Sequence, residues 1–333
     1  MTEVTKTPGS RFRSACLGVA TLAGLGSAGE VLAQAAQYPV RPIHFLVPYG
    51  PAGGPDLLAR NVSRKLPDLA GQSVVIDNRP GASGLVGTGL AAQAPNDGYT
   101  VLIGDSGPLT IAPSLQKSLA FNPEKDFIPV AMGMTAPIFF AVNANVPVKD
   151  MKGLAAFLKA NPKLSYGSTG VGSVHHLGME LFLSMTKTTM THIPYNSQVQ
   201  SVPALLNSDI PLLMIAYTSI RPHVESGRVR VLAVATKVRA PFAPDVPTVA
   251  ESFPGYEVRI DVGFLVPAGT SRDIVNKLNG WIRTVLAMPD VAQTLTNSGA
   301  IPILSTPEEY AQMLQIDREK FRKLIIATGA KAE

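Results

Sequence analysis

The chain has 333 residues, 46% of them hydrophobic and 16% charged, with a formal net charge of +5. Such a length and apolar share exclude a disordered chain and suit two domains better than one. The basic residues are scattered singly, and no basic run is interleaved with stacking aromatics, so nucleic acid is not expected as a partner.

In chain order the first predicted element is a leader. Lys6, Arg11 and Arg13 form a basic head, Ala15 to Ala28 is an apolar run, and Val31-Leu32-Ala33 or Ala33-Gln34-Ala35 offers a small-residue cleavage site. Residues 1–36 are therefore expected to be a cleaved export signal, since the apolar run is too short for a membrane span. Cys16 is the one cysteine, and Arg13-Ser14-Ala15 before it lacks the apolar position of a lipobox. Without the leader no cysteine is left, which excludes disulfides, thiolate catalysis and cysteine-ligated metals.

From residue 40 onward short β-branched runs alternate with helical patterns, which predicts α/β architecture with doubly wound parallel sheets. Pro42 to Pro48, Ser73 to Asp77 and Thr100 to Gly104 read as strands, and Leu58, Val62 and Leu66 as one helix face. A second series begins near Phe139, with a helix from Met151 to Ala160 and strands at Leu164 to Ser168, Met190 to Tyr195, Ile210 to Ile215 and Val229 to Thr236. Val258 to Val266 reads as a strand that recrosses to the first domain. Ile274, Leu278, Ile282 and Val285 keep a helix period, as do Tyr310, Leu314, Phe321, Leu324 and Ile325. Arg318, Lys320, Arg322 and Lys323, interrupted by Asp317 and Glu319, read as a solvated helix face.

Four loops rich in Gly, Ser and Thr follow predicted strands, on the side of an open α/β sheet where ligands bind. They are Tyr49 to Gly54, Asn78 to Gly84, Asp105-Ser106-Gly107 and Ser168 to Ser173. Taken singly, each is either a tight turn or an anion cradle at a helix start. Four together favour an anion. No nucleotide fingerprint is present, because Gly84-Leu85-Val86-Gly87-Thr88-Gly89 has the wrong spacing for G-x-G-x-x-G.

Enzyme signatures are weak. Gly104-Asp105-Ser106-Gly107 matches the nucleophile tetrapeptide of trypsin-like proteases, but those are β-barrels whose serine needs a partner His and Asp. His44 falls inside a strand, and the G-x-S-x-G elbow of α/β-hydrolases is absent. His175 and His176 would diverge by about 100° on a helix, so capping and packing explain them better than a metal. Asp56 reads as an acid stabilising a helix's first turn. No catalytic residue, metal or cofactor is expected.

The ordered motifs Tyr38-Pro39-Val40-Arg41-Pro42-Ile43, Pro48 to Asp56, Val74 to Ala82, Asp97-Gly98-Tyr99-Thr100, Tyr166 to Leu177, His192-Ile193-Pro194-Tyr195, Asp245-Val246-Pro247-Thr248, Pro267-Ala268-Gly269-Thr270 and Thr306 to Tyr310 resemble the Bug family of periplasmic substrate-binding proteins. That family serves tripartite tricarboxylate transporters. The resemblance implies a monomeric Venus-flytrap protein of the periplasm, with residues 38–141 plus 261–333 as one domain and 142–260 as the other. It also implies a small carboxylate held by main-chain groups, hydroxyls and waters, and delivery to membrane subunits of the transporter. The alternatives are a secreted α/β hydrolase and a ligand-sensing partner of a signalling receptor. The candidate ligand-binding residues are Tyr49, Pro51, Ala52, Gly53, Ser83, Ser106, Ser168, Thr169, Gly172, Ser173, Tyr195, Tyr217 and Asp261.

Two positions depart from the family pattern, which commonly has Asp where this chain has Ile215 and Trp where it has Asp261. Asp261 then either favours a ligand with a distal donor or cation, or pairs with Arg259, two residues away on the same strand face. Tyr217 is expected to supply the lost aromatic surface.

Overall fold

The computed structural model describes residues 38–51, 53–195 and 198–329. The expected leader and Ala52 lie outside the described residues. From Pro39 onward the chain forms one unit, built on two half-sheets that share a strand.

The first half contains β1 (Ile43–Val47), α1 (Gly54–Ser63), α2 (Leu66–Ala70), β2 (Val74–Asn78), α3 (Leu85–Ala92), β3 (Thr100–Asp105) and α4 (Ala112–Leu115), the last preceded by a π-helical turn over Gly107–Ile111. β4 (Phe127–Asn143) leads into the second half: α5 (Met151–Ala160), β5 (Ser165–Ser168), α6 (Val174–Thr186), β6 (Thr191–Pro194), α7 (Gln198–Leu206), β7 (Leu212–Ala216), α8 (Tyr217–Glu225), β8 (Val229–Val234) and α9 (Val249–Ser252). The chain returns through β9 (Arg259–Pro267), α10 (Arg272–Leu286), α11 (Pro289–Asn297), β10 (Ile301–Pro302) and α12 (Pro307–Thr328).

β2, β1 and β3 are parallel, and β9 runs antiparallel between β3 and β4. β5 is parallel to β6 and β7, while β7 and β8 are both antiparallel to β4. The sharing lies within β4: Phe127 to Pro137 pairs with β9, and Ile138 to Asn143 with β7 and β8. One 17-residue strand thus carries the backbone from one half-sheet to the other.

The sequence places only the second part of this strand, from Phe139. Pro129, Gly133 and Pro137 interrupt its first part, and Pro and Gly signal breaks in a strand. The structure absorbs Pro129 and Gly133 with register shifts between Pro129 and Ala131 and between Met132 and Met134, as bulges do, while Pro137 pairs in register with Arg259. The predicted continuous helix face Leu58–Val62–Leu66 is also divided. α1 ends at Ser63, and Leu66 opens α2, where Pro67 sits at the helix start. Proline tolerates that position because its missing N–H has no partner there anyway.

Helix starts follow their sequence signals. Ser271 caps α10 by accepting from Ile274 N–H, and Thr306 with Glu309 forms a capping box at α12, each worth about 0.5–2 kcal/mol. α12 bridges two cores. Tyr310 and Leu314 pack with Leu46, Leu102 and Leu265 of the first half. Phe321, Leu324 and Ile325 pack with Phe140, Phe182 and Tyr256 of the second. The solvated face expected over Arg318 to Lys323 holds for Arg322 and Lys323, which pair with Glu319 in the open, but Asp317 is buried and takes Lys320 and Arg259.

Candidate functional site

The ends of β1, β2 and β3 come together. Tyr49, just after β1, places its hydroxyl 2.9 Å from Asp105 Oδ1 at the end of β3 and 3.1 Å from the Ser83 carbonyl after β2. Asn78 Nδ2 donates to the Tyr49 carbonyl (3.0 Å) and to Asp56 Oδ1 (3.0 Å). Asp56, fully buried, also accepts from Arg60 at 2.7 Å. It therefore locks the first turn of α1, as expected of an acid at a helix start. Gly53 caps α1 and Gly84 caps α3 without a side-chain bond. At α3 the Leu85 and Val86 N–H groups donate to the Ala82 and Gly81 carbonyls, so the positive end of each helix, more than a set of free donors, is what these starts offer an anion. Pro51 and Ser83 are exposed. Ala82 and Ser83 take left-handed φ values of 44° and 53°. Non-glycine residues pay for that conformation in strain, which is typical of ligand clamps.

Burial holds the Asp105 carboxyl up at about 6, against the bonds from Tyr49 and from Gly107 N–H (3.1 Å). The Tyr49 hydroxyl is pushed well above its usual range, first by burial and then by Asp105. Ser106 does not present its hydroxyl to the loops. It is buried, and its Oγ accepts from Asp261 N–H at 2.9 Å, tying β3 to β9.

Asp261 is buried too. Its Oδ1 accepts from Thr135 Oγ1 (2.8 Å) and from Arg259 Nε (2.9 Å). Arg259 also reaches Glu257 (2.6 Å) and Asp317 (3.5 Å), and Lys320 joins Asp317 (2.6 Å). Two cations face three carboxylates, and burial lifts the Asp261 carboxyl to about 6 despite Arg259. Of the two sequence readings, the pair with Arg259 is the one formed. Ile215 is 1% exposed, packed in an apolar cluster with Leu213 and Ile220.

Across from these loops, the turn after β5 leads into α6. Ser168 is fully buried, its Oγ accepting from Gly170 N–H (3.1 Å) and lying 2.6 Å from His192 Nε2. Thr169 Oγ1 lies 2.9 Å from His175 Nδ1. Ser173 caps α6 by accepting from His176 N–H, and His176 Nδ1 accepts from Gly172 N–H at 3.0 Å. His176 stacks on His192 with ring centroids 4.0 Å apart. Burial lowers both His175 and His176 to about 4, and the nearby His192 adds to the effect on His176. Gly172 has φ +73°, and a Cβ there would fall 2.0 Å from Leu115 Cδ2, so the turn presses on α4. The Tyr195 ring borders Gly167 and packs with Ile210 and Leu213. Tyr217 clusters with Phe139 and Phe242, with centroids at 5.2 and 6.0 Å.

Thus Tyr49, Gly53 and Ser83 gather with Asp105. Thr169, Gly172 and Ser173 gather at the start of α6. Ser106, Ser168 and Asp261 serve internal bonds. Sequence reasoning places Asp105 in a candidate loop but not among the ligand-binding residues; its one signal is an acid at a strand's C-terminal end between glycine-rich loops. It also missed the His176–His192 stack, because partners from different elements leave no trace in spacing.

The comparisons with known proteins agree with this architecture. Residues 58–330 match the family model described as the tripartite tricarboxylate transporter family receptor. A Pseudomonas sp. (strain P51) protein from the tcbD-tcbE intergenic region is 35% identical, covering 92% of this chain and 93% of its own length. BugT of Bordetella pertussis is 32% identical, covering 88% and 91%. A solved R. palustris protein with adipate is 31% identical with TM-score 0.76, covering 88% of this chain and 99% of its own. MatC from Rhodopseudomonas palustris, solved with bound malate, is 29% identical with TM-score 0.72, covering 86% and 100%. The chain belongs to the tripartite tricarboxylate transporter receptor family, the Bug-type solute-binding proteins, and is not an enzyme.

Proposed function

We propose that this protein binds a small carboxylate between its two halves in the periplasm and delivers it to the membrane subunits of a tripartite tricarboxylate transporter. The observation that carries the reading is the convergence of glycine-rich turns at the ends of β1, β2 and β3, with helix starts lacking side-chain caps at Gly53 and Gly84. Such starts favour negative charge through aligned N–H groups, without a lysine or arginine. Each contributes about 0.3–1 kcal/mol, so several must act together to reach the roughly 8 kcal/mol of micromolar binding. The adipate- and malate-bound relatives support a carboxylate. The leader read over residues 1–36 supports export. Residues 38–141 plus 261–333 and residues 142–260 act as the closing domains, and Tyr49, Pro51, Gly53, Ser83, Thr169, Gly172, Ser173 and Tyr217 face the ligand.

A thermal-shift screen of the mature protein against carboxylates and their amides tests this. Acids raise Tm and the matching amides do not, with about 2.7 kcal/mol of stabilisation at 100 times Kd. Equal shifts with amides, or none with any acid, would reject the proposal.

A further inference from the structure

Asp105 stands apart from the other acids around the strand ends. Asp56 has Arg60, and Asp261 has Arg259. Among the described residues Asp105 has no ion pair, and both of its donors, Tyr49 Oη and Gly107 N–H, address the same oxygen, Oδ1. Oδ2 has no protein donor among the described residues. The side chain is only partly covered, and it sits where the turns after β1 and β2 meet the end of β3. Capping the following turn and accepting from Tyr49 would need one neutral oxygen, which asparagine also offers. A full carboxylate in a half-buried position without a counter-ion costs solvation energy that neither bond requires. Burial accordingly favours its protonated form, and groups under such tension mark sites where a ligand supplies the missing partner.

Resting on the carboxylate reading, we propose that Asp105 Oδ2 receives an ammonium group of the ligand, so that the site prefers amino-substituted acids over the corresponding unsubstituted ones. The ligand's carboxylate meets the positive helix starts at Gly53 and Gly84 and its ammonium meets Asp105, which among the described residues at the ends of β1, β2 and β3 has no ion pair of its own. The role that the sequence offered to Asp261 thereby falls to a neighbouring acid. Asp105 pairs in register with Val262, next to Asp261 on β9.

Isothermal titration of the mature protein with three matched pairs tests this: L-aspartate and succinate, L-glutamate and glutarate, L-2-aminoadipate and adipate. In the best-binding pair the amino acid binds about tenfold or more tightly, the range of a hydrogen bond to a charged group. In Asp105→Asn, which keeps the oxygen that Tyr49 and Gly107 use, that ratio collapses toward one through loss of amino-acid affinity. A melting curve of the variant shows that it is folded. A wild-type ratio near one overturns the inference and leaves carboxylate capture standing, as does an unchanged ratio in Asp105→Asn. Absence of binding by all six acids overturns both.

Discussion

At the scale of single residues, the buried polar groups divide into those with partners and those whose charge the fold resists. Arg259 belongs to the first kind, since it holds Asp261 and Glu257 and reaches Asp317 on α12. His176 belongs to the second. Its Nδ1 accepts the Gly172 N–H, so protonation would leave two donors facing each other and place a cation against the stacked His192. Its pKa is lowered from 6.5 to about 4, so between those values the unfolded chain binds more protons than the native one. Stability from His176 is therefore complete above pH 6.5 and lost as pH falls toward 4. His176→Gln, which retains an acceptor, should narrow the gap in unfolding free energy between pH 7 and pH 4.5 by up to about 3 kcal/mol. Denaturant titrations at the two values measure it, and an identical gap in variant and parent would remove His176 from the account. Gly172-Ser173 beside a histidine pair is visible in the sequence. The stack on His192 is not, because the partner arrives on β6, 16 residues later.

Among the elements, legibility tracks how local the determining forces are. α5 is legible to the residue because Asp150 caps it and its apolar face repeats over one short helix. The parallel strands β1 and β3, buried apart from His44 and the ends of β3, are legible as apolar runs. β4 is only half legible because its first part carries Pro129 and Gly133 at bulges, and Pro137 in regular pairing, which only the partner strand β9 explains. α12 was read as a helix, yet its periodicity could not reveal that one end enters the first core and the other the second. That division makes α12 a coupling element alongside β4. Phe321→Ala should cost about 3–5 kcal/mol as a buried aromatic truncation. Amides of β5 and β7 should lose hydrogen-exchange protection more than those of β1 and β3. Equal loss in both half-sheets would mean that the halves unfold as one block regardless of α12.

For the molecule as a whole, the halves touch beyond the shared strand and α12 at, among others, two glycines with left-handed backbone. Leu115 of α4 presses on Gly172, and Thr218 of α8 lies where a Cβ on Gly299 would come within 2.8 Å. Both contacts join the first half to the second, so under the proposed closure of the two halves around a ligand a hinge motion that parts them must break or slide these contacts. Leu115 is half-buried and packs against the second-half core, and its side chain belongs to no hydrogen-bonding loop. Truncating it therefore acts on closure and not on ligand contacts. If the contact is made only on closure, Leu115→Ala moves the open–closed balance by about 1–2 kcal/mol and weakens binding of the best screened acid about 5–30-fold. The ligand-free protein should at the same time show a larger radius of gyration in solution scattering, and saturating ligand should restore the parent value. If affinity and radius both match the parent, the Leu115–Gly172 contact persists through opening, and closure must be held by other contacts between the halves, with Thr218 and Gly299 the next to test.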